Sequence, residues 1–139
     1  MKGFGMTLLL RDDPDLIARY RAHHLAVWPA VTARLRAIGI DHMEIFLADR
    51  RMFMHFTAPD DFDPSRDFAS VMDDPEYRRW DELMRTFQEP APEAQPGEWW
   101  HPMEEVFDLD WPQHRPDGAA AAEPGAEAAG ESTTEGEDR

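Results

Sequence analysis

The sequence predicts an α+β fold of the ferredoxin-like, split βαβ kind: a four-stranded antiparallel sheet with helices on one face. Three observations carry that prediction. Short apolar runs at residues 4–10, 41–47 and 52–57 have strand length, Asp-Pro pairs at 13–14 and 74–75 read as helix starts, and MEEVFDLDW at 103–111 alternates like a closing strand.

Residues 4–10 end in Arg-Asp-Asp-Pro, which closes the first strand, and Asp13 before Pro14 pairs an N-cap with a first-turn proline. Ile17, Tyr20, His24, Val27 and Val31 then recur at steps of 3, 4, 3 and 4, the spacing of one helical face. Trp28 precedes Pro29 and is pushed away from helical dihedrals, so a break is expected there, followed by a second helical piece ending before Gly39. Strands at 41–47 and 52–57 flank the polar turn Ala48-Asp49-Arg50-Arg51. Ser65 is the expected cap of the next helix. Tyr77, Trp80, Met84 and Phe87 mark the buried stripe of the one after it. Pro90, Pro92 and Pro96 impose an extended loop before the last strand. The helices cover one sheet face and the chain has no further helix for the other, so a homodimer packed sheet against sheet is the expected solution.

From residue 113 the composition changes to QHRPDGAAAAEPGAEAAGESTTEGEDR, with no aromatic or large aliphatic residue. Such a segment buries too little apolar area to offset its ordering entropy, so residues 113–139 are expected to form a disordered acidic tail behind a domain at 1–112. The formal charge of the chain is −15; the tail carries seven acids against two arginines, net −5, which leaves the body at −10. That balance opposes binding to nucleic acid or an anionic membrane and favours a small neutral partner. Without cysteine there is no thiolate metal site or cysteine nucleophile. No apolar run reaches the ~20 residues of a membrane helix and the amino terminus lacks a cleavage-like pattern, so a cytoplasmic protein is expected.

RYRAHHLAVWP, residues 19–29, concentrates the titratable and aromatic chemistry. Tyr20 and His24 are four apart and project side by side, whereas His23 is turned about 100° away and is expected to face solvent. An imidazole titrating near neutrality suits proton transfer, and a phenol beside it can hold a polar ligand; a buried, hydrogen-bonded core histidine has the same spacing. Trp28, Trp80, Trp99, Trp100 and Trp111 could stack on the apolar face of a sugar or simply fill core. Trp99 and Trp100, if extended, must point oppositely. The other histidines show no HxH, HxxxH or HExxH spacing, so neither a metal nor another cofactor is expected.

YRAHHLAVWPAV (20–31), IDHMEIFLADRRMFMHF (40–56), YRRWDELM (77–84) and QPGEWWHPMEEVF (95–107) together resemble the L-rhamnose mutarotase family, over roughly residues 3–110. The resemblance rests on Y-x3-H-x3-W-P, a strand reading I-x-L, a Trp-bearing helix and a closing EVF. It implies a dimeric α+β barrel and an isomerase interconverting the α and β anomers of a 6-deoxyhexose, L-rhamnose or L-fucose. It places Tyr20 on the family's substrate-binding tyrosine, His24 on its catalytic histidine and Trp80 on the first of two pocket tryptophans. Met43 stands where a second pocket tyrosine is common and Asp81 where the tryptophan pair continues. With one of Trp99 or Trp100 as a further wall, these positions form the expected sugar site, and Met43 and Asp81 alter its hydroxyl preferences. In the implied ring opening, His24 donates a proton to the ring oxygen while Tyr20 holds a hydroxyl. The same architecture also hosts cofactor-independent monooxygenases, and a non-catalytic sugar-binding dimer would need the same residues.

Overall fold

In the computed structural model, residues 1–116 are described. They fall into a unit at Met1–Glu104 and the start of a second one that begins at Glu105. In the first unit the order is β1 (Lys2–Leu10), α1 (Pro14–His23), α2 (Pro29–Ala37), β2 (His42–Ala48), β3 (Arg51–Ala58), α3 (Pro64–Val71), α4 (Pro75–Arg85), β4 (Gln88–Glu89) and β5 (His101–Met103). The antiparallel sheet runs β2-β3-β1-β4, with β5 also pairing β1. This is the α+β, ferredoxin-like arrangement. Its fourth place is shared by two short strands: β4 opposite Leu9 and Leu10, and β5 opposite Gly5 to Thr7.

Proline placement sets the helix starts. Asp13, Asp63 and Asp74 are N-caps whose carboxylates accept the backbone N–H groups of the first turn, each followed by proline at the first helical position. Ser65 is therefore not the cap of α3: Pro64 takes the first helical position and hands the cap to Asp63, whose Oδ1 receives both the Ser65 N–H at 3.0 Å and its hydroxyl at 3.1 Å. The break at Trp28 holds, with φ −58° and ψ 135°. α2 ends in a Schellman closure, Gly39 N–H to the Arg36 carbonyl at 3.0 Å and Ile40 N–H to the Leu35 carbonyl at 3.2 Å. Gly39 sits at φ 107°, where a side chain would be strained.

Alternation gives the sheet two faces. Phe4, Met6, Leu8 and Leu10 of β1 share one with Met43 and Ile45 of β2 and Met52, Met54 and Phe56 of β3. Beneath the helices this face carries two linked clusters. One joins Leu8, Leu10, Met52, Tyr20, Val31, Trp80, Met84 and Phe87, and the other Met6, Met54, Phe56, Ile40 and Phe62. The opposite face carries Gly5, Thr7, Phe46, Phe53, His55 and Met103, and no helix covers it among the described residues. Phe46 and Phe53 stack there at 6.2 Å, and a Cβ at Gly5 would lie 2.9 Å from the Phe53 ring, so glycine lets that ring lie across β1.

The closing strand is shorter and earlier than MEEVFDLDW predicts. β5 covers only His101–Met103, and its register, Met103 opposite Gly5, leaves three residues of β1 before the strand begins at Lys2. Residues 104–111 form no strand. In the second unit Val106, Phe107 and Leu109 are exposed, and Phe107, Trp111 and His114 form a small aromatic group around the 3-10 turn Pro112–His114. Gln113 and His114 of the expected tail belong to that turn, and residues 117–139 of it lie outside the described residues.

Candidate active site

The site is built where α1 ends. Tyr20 lies in its last turn and His24 is its C-cap, so the 20/24 spacing survives although the helix stops between them and Val27. The two rings stack at 4.2 Å with a 29° tilt. His24 Nδ1 lies 3.0 Å from the Tyr20 carbonyl oxygen, which can only accept; Nδ1 therefore carries the proton and Nε2 of the neutral ring is left as an acceptor. Burial pushes the His24 pKa below the ordinary histidine value, against the supporting hydrogen bond to Tyr20, and the neighbouring His23 lowers it further. The neutral imidazole is thus the resting form at pH 7.

Tyr20 is buried, with its pKa pushed up to about 12 by loss of solvent, partly offset by a hydrogen bond from the buried Gln88 side chain. It stays a neutral phenol. Trp80 on α4 closes the group: its ring stands edge-on to His24 at 5.5 Å and to Trp28 at 5.1 Å. His23 is half-buried rather than exposed, because α1 ends at this residue and its ring reaches Phe87 at 5.5 Å and Trp80 at 6.2 Å.

A cleft of about 340 Å³ opens beside these residues, lined by Tyr20, Arg21, His24 and Leu25 from α1 and the turn after it, and by Ile45, Leu47 and Met52 from the hairpin. Its size suits a small ligand, and its lining is an apolar wall facing a few polar groups. Arg21, Leu25 and the three sheet residues escape sequence reasoning. Arg21 could have been found, since it follows Tyr20 and precedes His24 by one helical turn. The sheet residues could not, because only tertiary packing brings them opposite α1.

The other expected site residues are distributed around this group. Met43 packs in the second core cluster, opposite Phe56, and is not part of the cleft lining. Asp81 is half-buried on α4, with Oδ2 3.0 Å from the Arg85 guanidinium but without an aligned hydrogen bond. Burial raises its pKa, with Arg85 opposing. Arg85 in turn lies 5.2 Å over the Trp99 ring. Trp99 and Trp100 form a bend rather than an extended pair, and both pack inward, Trp99 on the first cluster and Trp100 on both. Structure therefore brings Tyr20, His24 and Trp80 together, but Trp80, like Met43, Asp81, Trp99 and Trp100, is not part of the cleft lining. Among the described residues, no three His, Asp or Glu side chains converge as metal ligands.

Comparison with known proteins follows the same lines. The family model for L-rhamnose mutarotase matches residues 3–109. A UPF0734 protein of Dictyostelium discoideum is 44% identical over 114 residues, covering 79% of this chain and 91% of the relative. An L-fucose mutarotase of Xanthomonas campestris is 38% identical over 111 residues, covering 78% and 89%. Among solved structures, an L-rhamnose mutarotase from Formosa agariphila superposes with a TM-score of 0.60 at 17% identity, covering 79% of this chain and all of that one. The tetracenomycin F2 cyclase of Streptomyces glaucescens reaches 0.54 at 19% identity, covering 81% and 100%. At those identities the solved structures speak to the fold alone.

Proposed function

The chain belongs to the L-rhamnose mutarotase family, and from that premise we propose that it interconverts the α and β anomers of a 6-deoxyhexose pyranose, L-rhamnose or L-fucose, with His24 moving the proton. One observation carries the mechanism: the hydrogen bond of Nδ1 to the Tyr20 carbonyl leaves Nε2 as an acceptor on a ring that borders the cleft. The anomeric O1 proton passes to Nε2, the C1–O5 bond breaks as C1=O1 forms, and the proton is returned to O5. Rotation about C1–C2 and reversal of these steps give the other anomer, with no change in oxidation state. His24 therefore acts as acceptor first and as donor to the ring oxygen second. General acid–base catalysis of this kind contributes about 10²–10⁴-fold.

Tyr20 and Trp80 are the proposed substrate-binding partners, the phenol for a hydroxyl and the indole as the apolar surface next to His24. The C6 methyl of a deoxysugar suits the wall of Leu25, Ile45, Leu47 and Met52. The proposed assembly is a homodimer closed over the helix-free sheet face, where Phe46, Phe53 and Met103 are 55%, 39% and 47% exposed. No helix among the described residues is long and apolar enough to cross a membrane, and a cytoplasmic location belongs to the same proposal.

The depressed His24 pKa fixes a pH dependence. The folded protein holds the neutral ring more readily than the unfolded chain does, so activity and the stability contribution of His24 persist above the ordinary value near 6.5. Both decline as pH falls below it. kcat/KM measured from pH 5 to 8 should be flat at the top and lose activity on the acid side. A profile rising through pH 7 to 8 would contradict the neutral acceptor.

NMR saturation transfer between α and β anomer signals, with L-rhamnose, L-fucose and D-glucose, tests the activity itself. Enhanced exchange for a deoxysugar supports a mutarotase. Line broadening without exchange would make the protein a sugar binder, and oxygen uptake with an aromatic substrate would move it to the oxygenases of this architecture.

A further inference from the structure

Any pyranose brought to this cleft offers several hydroxyl oxygens and a ring oxygen that need donors once they leave water. Few donors are available to meet them. His24 commits Nδ1–H to the Tyr20 carbonyl, Tyr20 has a single O–H, and the side chains of Leu25, Ile45, Leu47 and Met52 have no hydrogen-bond donor. Arg21 is the remaining polar side chain of the lining and brings a planar fork of five N–H donors. The arginines paired with carboxylates among the described residues are Arg34, Arg50, Arg51, Arg66 and Arg85; Arg21 is not one of them. It is also placed correctly, adjacent to Tyr20 and three residues before His24, so that its side chain shares the end of α1 with the proton-transfer group.

We infer that Arg21 is the specificity-determining residue of the site, its guanidinium donating to adjacent sugar hydroxyls and so fixing how the ring is presented to His24 Nε2. Lysine cannot replace this grip, because an ammonium is a single point donor where the guanidinium spans two oxygens. The inference rests on the sugar reading above and adds the residue that discriminates among hydroxyl patterns. Arg21 holds the substrate equally before and during ring opening, so its loss weakens binding more than the chemical step.

Anomer exchange is measured by saturation transfer over a range of L-rhamnose and L-fucose concentrations for wild type, Arg21→Gln and Arg21→Lys, with far-ultraviolet circular dichroism to confirm folding. The expected result for Arg21→Gln is a KM raised roughly tenfold with kcat within about twofold of wild type. Arg21→Lys should recover little of the loss, and the ratio of kcat/KM between the two sugars should move toward one in both variants. Unchanged KM and an unchanged sugar ratio in folded Arg21→Gln would overturn the inference while leaving the mutarotase reading intact. A kcat loss at constant KM would also overturn it, placing Arg21 in the chemical step instead. Absence of exchange in wild type would remove the mutarotase reading, and this inference with it.

Discussion

The two faces of the sheet come from alternate residues of the same strands, yet they are organised differently. On the covered face Leu8, Met52 and Phe56 are fully buried under the helices, and Tyr20, Trp80 and Phe87 extend that core to His24. On the open face Phe46 and Phe53 stack beside a Glu44 carboxylate that lies 3.4 Å from both His42 and His55. One face has its partners within the chain, and the other keeps aromatic rings beside polar groups, a mixture that suits a surface closed by association. The core and the candidate site lie on one side of the sheet, and the proposed dimer would use the other.

The largest effect expected from breaking the contrast is at Phe56, fully buried and stacked on Phe4 at 4.9 Å. Phe56→Ala should lower unfolding free energy by about 3–5 kcal/mol in urea titration. A loss below about 1 kcal/mol would mean that the covered face is not the core. A charge on the open face acts on association instead. Phe53→Glu should convert the proposed dimer to monomer in sedimentation while changing the unfolding free energy of the isolated protomer within about 0.5 kcal/mol. A wild type already monomeric at micromolar concentration would contradict the dimer. The smallest effect is at the covering layer's edge, where Asp74→Ala removes the α4 cap and should cost about 1 kcal/mol. No change in thermal unfolding would show that α4 is held by packing alone.

What the sequence discloses follows the range of the forces involved. Caps, prolines and alternation are local, so β1, the break at Trp28, the β2–β3 hairpin and the start of α4 can all be placed from residues alone. Ser65 and Asp63 compete for one cap within three positions, and only the first-turn preference of Pro64 decides between them. The closing strand is lost because its pairing is nonlocal. Alternation at 107–111 has strand character, but the register with Gly5 to Thr7 and the two-residue β4 beside it are products of tertiary structure. The site divides in the same way. Tyr20 and His24 lie within one helical turn and can be paired from spacing, whereas Leu47 and Met52, cross-strand neighbours in the hairpin, come to face them only when the hairpin packs beneath α1.

His24, held by the Tyr20 carbonyl and edge-on to Trp80, is the proposed proton carrier of anomer exchange. The most direct test of that role is saturation transfer on the better of L-rhamnose and L-fucose with wild type and His24→Gln, an amide that fills similar space without a titratable proton. The exchange rate should fall by about 10²-fold or more, with the fold and urea midpoint nearly retained. Exchange at the wild-type rate in folded His24→Gln would contradict that role.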